Sequence, residues 1–253
     1  MSSQAAAEHP VPHRVRARWA TWTLILGACT NVAFLLEGYV GAELDPTRSF
    51  VSELGGLGQP AAMYFRASDF VTGVLLLVGA IALWTLLPTN PALRLGVAAS
   101  MVFAVLTAAD AFLPLDCAPT VDAACRAAED AGNVSWQHAA HNVTGVVESV
   151  AASLAMILIA WGVWLLQRRR ALSGSWESVW QQLVVFGVVY ALLSVAVGVM
   201  YLVEMGPIGT LQRVQIVIYA AGMFTLGLAA RIKRIPHPDP PATAPSGPAA
   251  GKL

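Results

Sequence analysis

The chain has 253 residues, of which 57% are hydrophobic and 12% charged, and its mean hydropathy is +0.62. A soluble domain carries about 25% charged residues, so this chain has roughly half the charge needed to wet a globular surface, which excludes a water-soluble fold. Fifteen Lys and Arg balance fifteen Asp and Glu, and without a basic block there is no electrostatic footprint for nucleic acid.

A membrane-spanning helix needs about 20 largely apolar residues to cross roughly 30 Å of hydrocarbon. In chain order, the polar residues 1–18 read as a disordered tail. A first span follows at Trp19–Val40. Three arginines before an apolar stretch that reaches Cys29 also resemble a lipoprotein signal, but the apolar run continues through Asn31-Val32-Ala33-Phe34-Leu35-Leu36 and completes an uncleaved span. Cys29 then reads as a small buried hydrophobe inside it.

The connection Gly41–Phe65 is long for a helix–helix loop. Ser49 and Ser52-Glu53 are placed to cap a short stub that Gly55-Gly56 can end. Second and third spans at Arg66–Leu87 and Leu93–Leu113 are separated by Pro88 and Pro91. The next connection, Pro114–Gln137, holds Cys117 and Cys125, whose spacing suits a disulfide staple in an oxidising compartment. Three further spans lie at Val143–Leu166, Val179–Val203 and Leu211–Ala230, and the Pro-rich residues 232–253 read as a second disordered tail. The expected fold is therefore all-α, a polytopic bundle of six transmembrane helices over residues 19–231.

With the N-terminus inside, eleven of the fifteen basic residues fall on the inner side: Arg14, Arg16, Arg18, Arg94, Arg168, Arg169, Arg170, Arg231, Lys233, Arg234 and Lys252. The positive-inside rule then places both termini in the cytoplasm and the protein in the plasma membrane, with the lipid bilayer as its constant partner. Trp19, Tyr39, Trp136 and Tyr201 fall near span ends and read as interfacial aromatic belts.

Short motifs punctuate this pattern. Ser52-Glu53-Leu54-Gly55 follows the first helix, Leu115-Asp116 follows the third, and His141-Asn142 opens the fourth. With six spans, this arrangement over roughly Trp19 to Arg231 resembles the bacterial and archaeal membrane family known as domain of unknown function 998. The resemblance implies a six-helix bundle and leaves the chemistry open.

Ionisable groups inside a span cost a few kcal/mol each even on insertion scales, so each calls for a partner or a task. Glu37, Asp69, Asp110, Glu148, Glu204 and Arg213 all fall within about one helical turn of the expected outer hydrocarbon edge, one from each span. His138, His141 and Glu148 share a face of the fourth helix, with Thr144 between the last two. Two chemistries fit this pattern. In one, an acidic vestibule binds a cation: a divalent metal ion or an amine-bearing lipid headgroup or solute, for transport, sensing or lipid handling. In the other, Ser52, Asp110 and His141 serve a hydrolase at the membrane interface, with His138, His141 and Glu148 as weak candidates for zinc. Its parts echo the ceramidase-like hydrolases, but the His spacing, the absence of a third intramembrane His and the six spans depart from that pattern. A structural scaffold is the remaining alternative.

Overall fold

The computed structural model describes residues 13–170, 176 and 178–232, and its regular structure there is entirely helical. Seven α-helices follow in order: α1 (His13–Asn31), α2 (Ala62–Leu86), α3 (Pro91–Asp110), α4 (Ala123–Asp130), α5 (Trp136–Arg168), α6 (Val179–Leu202) and α7 (Ile208–Ile232). Helices α2, α3, α5, α6 and α7 are long and apolar enough to cross a membrane. Each begins or ends where local chemistry dictates. Asn90 accepts a hydrogen bond from the Leu93 amide, with Pro91 in the first turn of α3. Ser135 does the same for the His138 amide and starts α5 seven residues before the expected Val143.

The first expected span needs correction. α1 starts at His13, so residues 13–18 are helical, and it stops at Asn31 rather than Val40. Arg14, Arg16 and Arg18 occupy its first turns, which leaves an apolar stretch shorter than those of the other long helices. The apolar run beyond Asn31 folds into a 3₁₀ turn, Ala33–Leu36, and tight turns that close at Gly41, whose φ is +80°. Of the expected tails, 1–18 and 232–253, residues 1–12 and 233–253 lie outside the described residues. Cys29 is exposed on the outside of α1 rather than buried.

The six long helices form a closed ring. α1 packs on α2, α2 on α3, α3 on α5, α5 on α6, α6 on α7, and α7 returns to α1. Every neighbouring pair is antiparallel because each connection crosses to the adjacent helix. Glycines permit the close approaches: a Cβ on Gly96 of α3 would stand 2.7 Å from the Ile159 amide nitrogen, and one on Gly162 of α5 would stand 2.7 Å from that of Leu93. Leu24, Leu76, Met156, Ile159, Leu183 and Leu226 fill the half of the ring toward the arginine-rich end. Outward, Phe70, Ile81, Val102, Leu154, Trp161, Val188 and Leu192 leave a belt of exposed apolar side chains that suits a lipid bilayer.

A layer of loops covers the other end. It comprises residues 32–61, with a second 3₁₀ turn at Ser52–Gly55, and residues 111–135, which include α4. Cys117 and Cys125 are bonded to each other and fasten α4 to this layer.

Candidate functional site

Under the loop layer, the helices enclose a cavity of about 570 Å³, within the range typical of small-molecule sites. Its floor is aromatic. Phe103 of α3 and Tyr219 of α7 stand 4.2 Å apart between ring centroids, and Tyr190 of α6 lies 5.9 Å from Tyr219. Above them, Gln215 of α7 donates to the Ser194 hydroxyl of α6 at 2.7 Å, a polar link between two apolar helices.

Four residues of the expected vestibule meet here: Asp69, Asp110, His141 and Glu148 all line the cavity. Asp110, the last residue of α3, accepts the Thr144 hydroxyl at 2.5 Å and stands 3.8 Å from His141 Nδ1. That nitrogen lies 2.9 Å from the Leu113 carbonyl. A carbonyl only accepts, so Nδ1 carries the proton. Glu148 Oε1 is buried and has no hydrogen-bond partner, and the Tyr219 hydroxyl is in the same condition. Asp69, Asp110 and Glu148 lie within electrostatic reach of one another. Glu129 of α4 adds a fourth carboxylate at the roof, accepting from the Tyr201 hydroxyl and the Asn142 amide at 2.8 Å each. Among the described residues, no lysine or arginine lines the cavity.

The other members of the expected ring lie elsewhere. Glu37, which the turns after α1 carry off the helix, pairs with Arg213 of α7 through two contacts, 2.6 Å at Nη2 and 3.2 Å at Nε. Arg213 also donates to the carbonyls of Pro46 and Ser49, so the pair is a structural clasp between α7 and the first loop. Glu204 follows α6 on the surface, 69% exposed and 3.8 Å from Arg126. His138 is fully buried and turned into the loop layer, its Nδ1 accepting the Asp116 amide at 3.2 Å. Its Nε2 stands 3.9 Å from Glu129 of the roof, but the ring does not line the cavity beside His141 and Glu148, and among the described residues no three His, Cys, Asp or Glu side chains are grouped to hold a metal ion. Tyr201 reads from the sequence as an interfacial residue, but here it lines the cavity and holds Glu129.

Ser52 lines the cavity from the 3₁₀ turn, while the His141 ring bonds Leu113. Its neighbour Glu53 is fully buried and accepts from the Phe50 amide at 2.9 Å, the Thr120 amide at 2.9 Å and the Thr120 hydroxyl. Burial pushes the Glu53 carboxyl above its ordinary range, against the pull of those hydrogen bonds. Leu57 donates to the Leu115 carbonyl, and Asp116 accepts from both the amide and the hydroxyl of Ser135. The short motifs of the sequence thus converge as joints of the roof: Glu53 to Thr120, Asp116 to Ser135, His141 to Leu113 and Asn142 to Glu129.

Sequence reasoning missed Tyr190, Tyr219, Gln215 and Thr107 of the lining. A hydroxyl or amide in mid-span is the signal that marks such positions, because in hydrocarbon it must find a partner or face a cavity.

No curated protein and no solved structure matches the chain. The family described as Protein of unknown function (DUF998) matches residues 24–229, which takes in the last eight residues of α1, α2 to α6, nearly all of α7, both loops and every residue of the cavity. The chain therefore belongs to that family.

Proposed function

We propose that the protein is a six-span plasma-membrane protein, both termini cytoplasmic, that binds an amine-bearing lipid or solute in this cavity. Helix α1, about 28 Å long, is counted as the sixth span because it lies in the ring between α2 and α7. The observation that carries the reading is the charge imbalance of the lining: among the described residues, Asp69, Asp110 and Glu148, the last with a buried, unpartnered oxygen, line it with no Lys or Arg, while the fourth carboxylate, Glu129, lies within electrostatic reach of Arg126. Like charges at reduced dielectric cannot all stay ionised without a countercharge, and a bound cation supplies it. Seven aromatic side chains share the lining, with Phe103, Tyr190 and Tyr219 at its floor. Carboxylates over ring faces suit an organic ammonium, which gains cation–π attraction, better than a metal ion that demands a compact set of oxygen or nitrogen ligands. Such a site serves transport, sensing or lipid handling.

Equilibrium binding of alkylamines to the purified protein in nanodiscs tests this. Glu148→Gln removes a charge-assisted acceptor and is expected to weaken binding by about ten- to a hundredfold. Asp110→Asn is expected to act in the same direction, and affinity is expected to fall as pH drops from 8 to 5 and the carboxylates take up protons. Folded variants that bind amines like the parent protein overturn the reading.

A further inference from the structure

The cavity is not sealed on every side, and where it opens bears on what enters. Its lining residues on α1, α2, α3, α7 and the loop layer are all buried or half-buried. The exposed ones, Asn142, Val146, Val150, Val195 and Gly198, are confined to α5 and α6. Val146 is 66% exposed, Val150 53% and Val195 66%, so these side chains belong to the outer surface and to the cavity wall at once. Toward the arginine-rich end the same two helices are in tight contact, since a Cβ on Gly187 would stand 2.9 Å from Ile157 Cγ1. Toward the loop end, added Cβ atoms on Gly145 and Gly198 meet nothing within 4 Å. The pair is closed below and splayed above. The rim is valine and glycine, with Asn142 at the top hydrogen-bonded to Glu129 of the roof. Counting about 20 residues up from the inner end of α5 places the rim at the outer margin of the hydrocarbon, where an opening between helices faces lipid rather than water.

We propose that the slot between α5 and α6 is a lateral doorway for a long-chain primary amine, an amphiphile that enters from the bilayer leaflet at the loop end. Its ammonium sits among Asp69, Asp110 and Glu148 while its chain leaves between Val146 and Val195. This rests on the reading of the cavity as an amine site and specifies the ligand. A primary head is favoured over a quaternary one because its N–H groups can donate to the unpartnered Glu148 oxygen, which a trimethylammonium cannot do. A phosphate-bearing head is disfavoured because the lining carries four carboxylates and no Lys or Arg to receive it.

The test uses Gly198→Cys in a Cys29→Ser background, reconstituted in nanodiscs and then blocked with N-benzylmaleimide, so that bulk enters the slot only after folding. Saturable binding above empty nanodiscs is measured for hexadecylamine, hexadecyltrimethylammonium and water-soluble butylamine. Before blocking, hexadecylamine is expected to bind about tenfold or more tightly than its trimethylammonium analogue; after blocking, its on-rate and apparent affinity are expected to fall by about tenfold, with butylamine changed less than about twofold. Val146→Trp is expected to reproduce the effect from the opposite rim. Unchanged hexadecylamine binding after blocking, or butylamine binding without hexadecylamine binding, overturns the doorway and leaves the amine site standing. Failure of the unblocked protein to bind any of the three overturns both, and equal binding of the two long-chain cations overturns the primary-amine assignment.

Discussion

Asp116 shows how one residue anchors the roof. It accepts from the Ser135 amide and hydroxyl at 2.6 Å each, Ser135 in turn caps α5, and the Asp116 amide donates to His138. Burial raises the Asp116 carboxyl, but the two Ser135 bonds and nearby His138 outweigh it and hold the group below its ordinary value. An acid lowered in the folded state contributes stability above its unfolded pKa and loses it as pH falls through the folded value. Asp116→Asn is therefore expected to cost about 1 kcal/mol at pH 7, a low figure for charge-assisted bonds because the carboxylate is partly solvated. The difference from the parent protein should shrink below about pH 4, as thermal unfolding in detergent at the two pH values would register. Depth along a helix was legible in the sequence for Asp69, Asp110 and Glu148, because charge in an apolar run is conspicuous. Azimuth was not: Glu37 leaves the acidic cluster to clasp Arg213, and His138 accepts the Asp116 amide while His141 lines the cavity.

Among the elements, α3 and α5 are in tight contact, with backbone as well as side-chain atoms beside Gly96 and Gly162. Gly96→Val and Gly162→Val are each expected to destabilise the detergent-solubilised protein by about 1–3 kcal/mol. Gly145→Ala, which meets nothing within 4 Å, should be neutral or stabilising by less than about 1 kcal/mol. A near-neutral Gly162→Val would mean that the two helices can part without cost. Helices α2, α3, α6 and α7 lie within four residues of the spans read from hydropathy, since lipid imposes both length and apolarity on them. Hydropathy fails at α1 because the apolar run beyond Asn31 serves the loop layer, and at the start of α5 because its first two turns stand above the hydrocarbon among polar partners. α4 is amphipathic and held by a disulfide, and neither property registers on a scan for spans.

At the level of the whole molecule, orientation follows from charge: Arg14, Arg16, Arg18, Arg94, Arg168, Arg169 and Arg170 lie at the end opposite the loop layer. In the orientation proposed above, with this arginine-rich end in the cytoplasm, the cavity and its roof face the outside of the cell. In a Cys29→Ser background, Glu43→Cys in the loop layer is expected to react with an impermeant thiol reagent on intact cells. Thr89→Cys, between α2 and α3, should react only after permeabilisation, and the reverse pattern would invert the molecule. Chain order alone predicted a bundle, because consecutive elements are usually adjacent in space. That the bundle closes on itself was not readable, since nothing in a linear pattern records that α7 returns to α1.

The closed ring has a consequence for biogenesis. Each helix rests on those before and after it, so the only seam is the one between the first and the last, clasped by Glu37 and Arg213. Until α7 is synthesised, Asp69, Asp110 and Glu148 line an open trough rather than an enclosure, and Glu37 lacks its arginine. The acidic interior is thus the last thing the nascent chain completes, and a polypeptide interrupted before Arg213 would present its carboxylates to lipid, a defect visible to membrane quality control before any ligand is met.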